Sequence, residues 1–265
     1  MGSAVRQSQA RAEPDPLQVT MKKGRVPLER ALSKLGLASR TEARALVREG
    51  RVAVDGRPVT DPLFEVVPER ARIEIDGHRA ERPRPVTILL HKPRGVVTTR
   101  SDPEGRPTVY GCLEGLEAHV VPVGRLDAAT SGLLLLTNDT RFADWITDPR
   151  NEVPRVYLVT VRGELSDDKA REGERQVAGS VTVRKRSKRE THLVIELTEG
   201  KNREIRRMLA ALGHEVTKLK RVSFGGLELG ELPPGEWREV TIEELRAAFE
   251  RFGALPERLR AFPEW

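Results

Sequence analysis

No apolar segment in this chain is long, and that limits its fold more than any other feature. From residue 86 onward, short strand-like runs alternate with stretches of helical period. The runs fall at 86–90, 120–123, 133–137, 157–161, 193–197 and 216–219. Segments of that length rich in Val, Ile and Leu fit strands, whereas apolar residues three and four apart over 142–146, 205–212 and 242–252 fit helices. The mixture predicts an α+β domain, a largely antiparallel sheet flanked by helices. Nothing approaches the roughly 18 apolar residues of a spanning helix, so no membrane partner is expected.

Residues 79–85 read Arg-Ala-Glu-Arg-Pro-Arg-Pro, a composition suited to a linker. Ahead of it lies a smaller patterned unit. Leu28, Ala31, Leu32 and Leu35 recur at helical spacing, with Pro27 in the first turn and Gly36 placed to stop the helix. Ser39-Arg40-Thr41-Glu42 reads as a capping box, and the helix it opens runs to about Glu49. Val52 and Val54 then alternate as a strand, Asp55-Gly56 makes a hairpin turn, and Val59 lies on the return strand. The expected division is a disordered basic leader over 1–25, a compact unit over 26–78, the linker, a larger domain over 86–252 and a tail over 253–265.

Lys and Arg number 46 against 40 acidic residues, a net charge of +6, which favours an anionic partner, nucleic acid first. On the second helix Arg40, Arg44 and Arg48 fall at i, i+4 and i+8, so three guanidinium groups share one face. They read equally as a solvated surface or as a phosphate-binding stripe. Cys112 is the single cysteine, which excludes an intramolecular disulfide and suits a reducing cytoplasm, as does the absence of an apolar signal segment after Met1. His91, His119 and His214 lack metal-ligand spacing and no phosphate-loop string occurs, so neither metal nor nucleotide cofactor is expected. Trp145 and Trp237 sit in amphipathic surroundings and read as packing residues.

The segment 123–132, Val-Gly-Arg-Leu-Asp-Ala-Ala-Thr-Ser-Gly, joins two strand-like runs and presents Arg125 and Asp127 together. Taken alone, Asp127 reads as a turn cap, and Tyr157 as a half-buried strand tyrosine. The string Gly-Arg-Leu-Asp, with the Thr-Ser-Gly-Leu-Leu-Leu-Leu-Thr-Asn run that follows, resembles the signature of the pseudouridine synthases, more narrowly their RsuA/RluB branch. His91-Lys92-Pro93-Arg94-Gly95, Val156-Tyr157-Leu158-Val159 and the segment 199–208, with its Gly-Lys-Asn-Arg-Glu-Ile-Arg-Arg, are similar to that branch's other motifs, in the expected order. Residues 28–59 resemble an RNA-binding module of the ribosomal protein S-four type, and the whole resemblance runs from Leu28 to about Ala247.

The resemblance implies isomerisation of uridine in ribosomal RNA. It assigns Asp127 as the catalytic carboxylate, acting as nucleophile or base; Arg206 as the cation against it; and Tyr157 as the ring that stacks on the target uracil. A carboxylate among phosphates needs such a cation, because burial and like charge both favour protonation. Extracting the nucleotide from folded RNA needs a side chain to fill the gap, and Arg125 is the candidate. Lys92, Arg94, Lys201 and Arg203 are expected on phosphates, with Arg155 standing where the branch commonly has a Lys. The short strings favour 23S over 16S ribosomal RNA, free or in an assembly intermediate, and a monomeric enzyme. The alternatives left open are transfer RNA as substrate and a non-catalytic RNA-binding assembly protein.

Overall fold

A computed structural model describes residues 24–250 except 69 and 82, so most of the expected leader and all of the tail lie outside the described residues. The smaller unit begins with β1 (Val26–Pro27), α1 (Leu28–Lys34) and α2 (Arg40–Arg48). Pro27 turns out to be the N-cap of α1, with extended ψ of 143°, instead of a first-turn residue. The capping box at Ser39 forms as expected: the Glu42 amide donates to the Ser39 hydroxyl at 3.2 Å and the Ser39 amide to the Glu42 carboxylate at 2.8 Å. Two short strands follow, β2 (Val52–Val54) and β3 (Arg57–Val59). They are joined by a turn in which Asp55 (φ 51°) and Gly56 (φ 77°) are both left-handed, the conformation a tight hairpin demands.

The sequence showed no pattern for β4 (Glu65–Val66), β5 (Ile73–Ile75) and β6 (His78–Arg79), because each contributes at most two apolar residues. β4 pairs with β1, and β5 joins β2 and β6 in a four-stranded antiparallel sheet of order β3-β2-β5-β6. Leu28, Leu32, Ala43, Val47, Val52 and Ile73 form the core between helices and sheet. Arg79, expected in the linker, belongs to β6 opposite Glu74. The end of the linker is also held: Asn138 accepts from the Val86 amide at 2.8 Å and donates to the Arg84 carbonyl at 2.7 Å.

The larger unit contains β7 (Thr87–Lys92), β8 (Val121–Pro122), β9 (Ser131–Thr137), α3 (Thr140–Thr147), β10 (Arg155–Arg162), α4 (Asp167–Glu174), β11 (Gly179–Arg186), β12 (Glu190–Leu197), α5 (Glu204–Ala211), β13 (Val216–Phe224), β14 (Leu227–Glu228), β15 (Trp237–Glu239) and α6 (Ile242–Glu250). Its sheet runs β11-β12-β10-β13-β9-β7-β15, with β14 on β13 and β8 on β9. Among the described residues, every pairing between these strands is antiparallel except β13 with β9. The unbroken run Leu133–Leu136 is explained by burial on both faces. Leu133 and Leu135 meet α3 and α6 through Phe142, Ile146 and Phe249, while Leu134 and Leu136 meet Val96, Val109 and Leu113. Trp145 packs edge-on to Phe249 with ring centres 5.5 Å apart, and Trp237 lies against the opposite core, both as expected. A third core joins β10, β12 and β13 to α4 and α5 through Val159, Leu193, Leu219, Ala170 and Met208.

The parallel contact between β9 and β13 decides where the next segment goes. Gly132 sits at φ 108°, and a methyl group there would lie 2.1 Å from the Arg221 carbonyl oxygen and 2.7 Å from its nitrogen. Only glycine lets the two backbones meet, and the loop of residues 124–130 therefore issues beside β13 and the start of α5.

Candidate active site

The backbone of the 124–130 loop is pinned at consecutive carbonyls. The Thr98 hydroxyl donates to Leu126, the Thr130 amide to Asp127, the Gly95 amide to Ala128, Arg206 Nη2 to Ala129 and Lys92 Nζ to Thr130, at 2.7 to 3.2 Å. Buried Leu126 anchors the same loop in the core. A loop so held presents Asp127 as rigidly as a secondary-structure element would.

Asp127 points into an open cleft of about 510 Å³, lined also by Arg125, Tyr157, Arg203, Arg206 and Arg221. That volume lies within the roughly 300–1,000 Å³ typical of small-ligand sites. The cation on Asp127 is Arg203, with Nη1 to Oδ2 at 3.1 Å, where the sequence had pointed to Arg206. Two facts explain the correction. Arg203 is the N-cap of α5 with left-handed backbone (φ 48°), so helical geometry does not govern its direction. Arg206, on the helix, commits Nη1 to the Val216 carbonyl and Nη2 to that of Ala129, both at 3.2 Å. Burial, and then neighbouring Arg203, lower the pKa of Arg206. Tyr157 lines the cleft from β10, its ring against the cores on either side.

Several expected phosphate contacts are redirected. Lys92 is wholly buried, and Nζ donates to the Pro93 and Thr130 carbonyls at 2.9 and 2.8 Å, out of reach of RNA. Burial lowers its pKa to about 8, against an opposing pull from Asp127. Arg155 is buried as well, donating to the carbonyls of Val153, Thr198 and Ile146 and lying over the Phe224 ring at 4.9 Å. Lys201 is exposed but bridged to Glu199 at 2.6 Å. Of the arginine stripe on α2, Arg44 is engaged by Glu29 of α1 through two hydrogen bonds of 2.7 and 3.1 Å. Arg40 and Arg48 are exposed on the same helix, as are Arg94 and Arg125 near the cleft.

Two cleft residues had escaped notice. Arg221 is 3% exposed, donates Nε to the Leu133 carbonyl at 2.7 Å, stacks at 4.7 Å on Phe224 and leaves Nη2 without a partner. The signal for it was phase: Arg221 shares the inward alternation of Leu219 and Ser223 on β13. Glu204 is buried with both carboxyl oxygens unpartnered, and its position four residues before Met208 sets it on the apolar stripe of α5.

Comparison with known proteins identifies the family. Residues 86–211 match the family described as RNA pseudouridylate synthase, and residues 26–70 match the S4 domain. The chain is 39% identical over 229 residues to ribosomal large subunit pseudouridine synthase B of Bacillus subtilis, covering 83% of this chain and 93% of that one. To the protein of the same name in Yersinia pestis it is 38% identical, covering 82% and 73%. A solved pseudouridylate synthase superposes with a TM-score of 0.58 at 25% identity, over 84% of this chain and 99% of the other. With motifs, fold and relatives in agreement over most of its length, the chain belongs to the RNA pseudouridine synthase family.

Proposed function

We propose that this protein isomerises a uridine of large-subunit (23S) ribosomal RNA to pseudouridine in the cytoplasm, with Asp127 as the catalytic carboxylate. The observation that carries the reading is the meeting of Asp127 and Arg203 at 3.1 Å in a cleft shared with Tyr157. Two relatives whose names specify the large ribosomal subunit support the choice of RNA.

The reaction breaks the C1′–N1 bond, turns the uracil and joins C1′ to C5; a proton leaves C5 and another is gained at N1. Asp127 acts on the ribose either as nucleophile or as base, and in both cases the Arg203 guanidinium stabilises the negative charge. Tyr157 stacks on the uracil, and Arg125 fills the gap left by the extracted nucleotide, whose removal costs a few kcal/mol of stacking and pairing. Arg40, Arg48, Arg94 and Arg125 supply the exposed charge for phosphates, a term that positions RNA without reading its sequence.

Asp127→Asn tests the assignment. Tritium release from carbon-five-labelled ribosomal RNA should fall by at least about 100-fold, with RNA affinity near that of the wild type. Retained turnover removes Asp127 from the mechanism. Carbodiimide mapping of ribosomal RNA from cells with and without the gene identifies the uridine, and a stop that disappears from 16S instead of 23S RNA would overturn the choice of subunit.

A further inference from the structure

Glu204 opens α5 at the wall of the cleft and is 8% exposed; with both acids ionised, neither of its oxygens has a hydrogen-bond partner. The cations near it donate to other groups. Lys201 bridges Glu199, Arg203 holds Asp127, Arg155 of β10 donates to three carbonyls, and Arg206 donates to two. The start of a helix favours an anion, but burial without a partner disfavours it far more. A buried carboxyl in this position resolves the conflict by keeping its proton, and a protonated oxygen needs an acceptor. Glu199, at the other end of the segment that leads into α5, is the acid that lies against it.

We infer that Glu204 is a neutral carboxylic acid donating a hydrogen bond to the Glu199 carboxylate, and that this shared proton fixes residues 199–203 so that Arg203 meets Asp127. Glu204 is thus a positioning residue, and its effect on turnover rests on the role of Asp127 proposed above. The titration of the pair is divided accordingly: burial and Glu199 raise Glu204 above the usual carboxylate range, while Lys201 holds Glu199 below it. The strained φ of 48° at Arg203 also requires a well-fixed neighbourhood, since a non-glycine residue adopts it only where the surroundings enforce it. Facing Glu204 are Glu199 and Lys201 from the preceding segment and Arg155 from β10. As pH rises through the raised pKa of Glu204 the proton is lost, the two carboxylates repel, and the Arg203 contact loosens.

Glu204→Gln keeps the shape and a permanent donor, so it should turn over close to the wild type at neutral pH and lack the wild type's decline on the alkaline side. Glu204→Ala should lose about tenfold or more in single-turnover tritium release, an effect of displacing the catalytic constellation. Infrared difference spectra of wild type minus Glu204→Gln, taken without RNA, should contain the carbonyl band of a protonated carboxyl. Superimposable pH profiles, a Gln variant as impaired as the Ala variant, or the absence of that band would each overturn the inference. The infrared arm needs no substrate, so failure of the proposed function through Asp127 would leave this reading of Glu204 separately decided.

Discussion

Replacing Lys92 with Met removes the most deeply buried cation of the catalytic domain, and its effect on stability can be worked from the structure. The side chain is fully buried, with Nζ on the carbonyls of Pro93 and Thr130. Burial brings its pKa from the usual 10.5 to about 8. That is a depression of roughly 2.5 pH units, and at about 1.36 kcal/mol per unit it corresponds to about 3 kcal/mol. The unfolded chain keeps this proton up to 10.5, whereas the folded protein releases it near 8. Between those values the unfolded state binds more protons, so the Lys92 contribution to stability rises with pH. At pH 7 the variant gains from discarding a desolvated charge and loses two charged hydrogen bonds of about 1.5 to 3 kcal/mol each, terms of opposite sign that do not change with pH. The informative quantity is therefore the difference in unfolding free energy between wild type and Lys92→Met, from urea titrations at pH 7, 8, 9 and 10. Groups common to both proteins cancel. From its value at pH 7 the difference should climb in favour of the wild type by about 2.5 kcal/mol at pH 10, and a flat difference would show that the ammonium is not buried as described.

Gly132→Ala places a methyl 2.1 Å from the Arg221 carbonyl at a φ of 108°, so the parallel contact of β9 with β13 must open; a loss of about 3 kcal/mol or more is expected in denaturant unfolding, and an unchanged midpoint would refute the close approach. Converting Arg40 and Arg48 together to Gln should reduce the salt slope of RNA binding by about 0.7 to 0.9 for each phosphate that is no longer neutralised. The same change at Arg44, already paired with Glu29, should move the slope less. Equal effects at all three positions would mean that the Glu29 pair opens on RNA.

The local rules that the sequence obeys are those carried by adjacent residues. Ser39 and Glu42 satisfy each other three residues apart, and Asp55-Gly56 permits a two-residue turn, so both are readable without knowing what packs around them. Leu133–Leu136 announces a strand covered on both sides. By contrast, α4 buries only Ala170 and Gly173, and β11 is an edge strand that exposes Thr182, Arg184 and Lys185 and offers the core only Val181 and Val183; neither leaves an extended apolar pattern to find. The strand β13 was read only to Leu219 because Lys220 and Arg221 interrupt its apolar run, although Arg221 is buried in phase. At the cleft, motif resemblance identified the residues near Asp127 but not which of them touch it. Whether Arg203 or Arg206 pairs with it depends on a left-handed backbone at Arg203 and on carbonyls of Ala129 and Val216 that become neighbours only on folding.

The basic residues consequently divide into two populations with different physics. Lys92, Arg155, Arg206 and Arg221 lie in or beneath the cleft wall and each donates to main-chain carbonyls. A neutral donor could satisfy a carbonyl without the desolvation that a charge carries. Lys92 and Arg206 also lie within electrostatic reach of Asp127, and on the role proposed above their positive charge would offset that of arriving phosphates. Because Lys92 is buried and Arg206 half-buried, salt screens that field less than it screens the charges of exposed Arg40, Arg48, Arg94 and Arg125. On the function proposed above, the exposed set would govern how tightly RNA is held at a given ionic strength. On that same proposal Lys92 and Arg206 would act on Asp127 once the RNA is there, so lysine and arginine motifs that look alike in the sequence differ in burial and in partners in the fold.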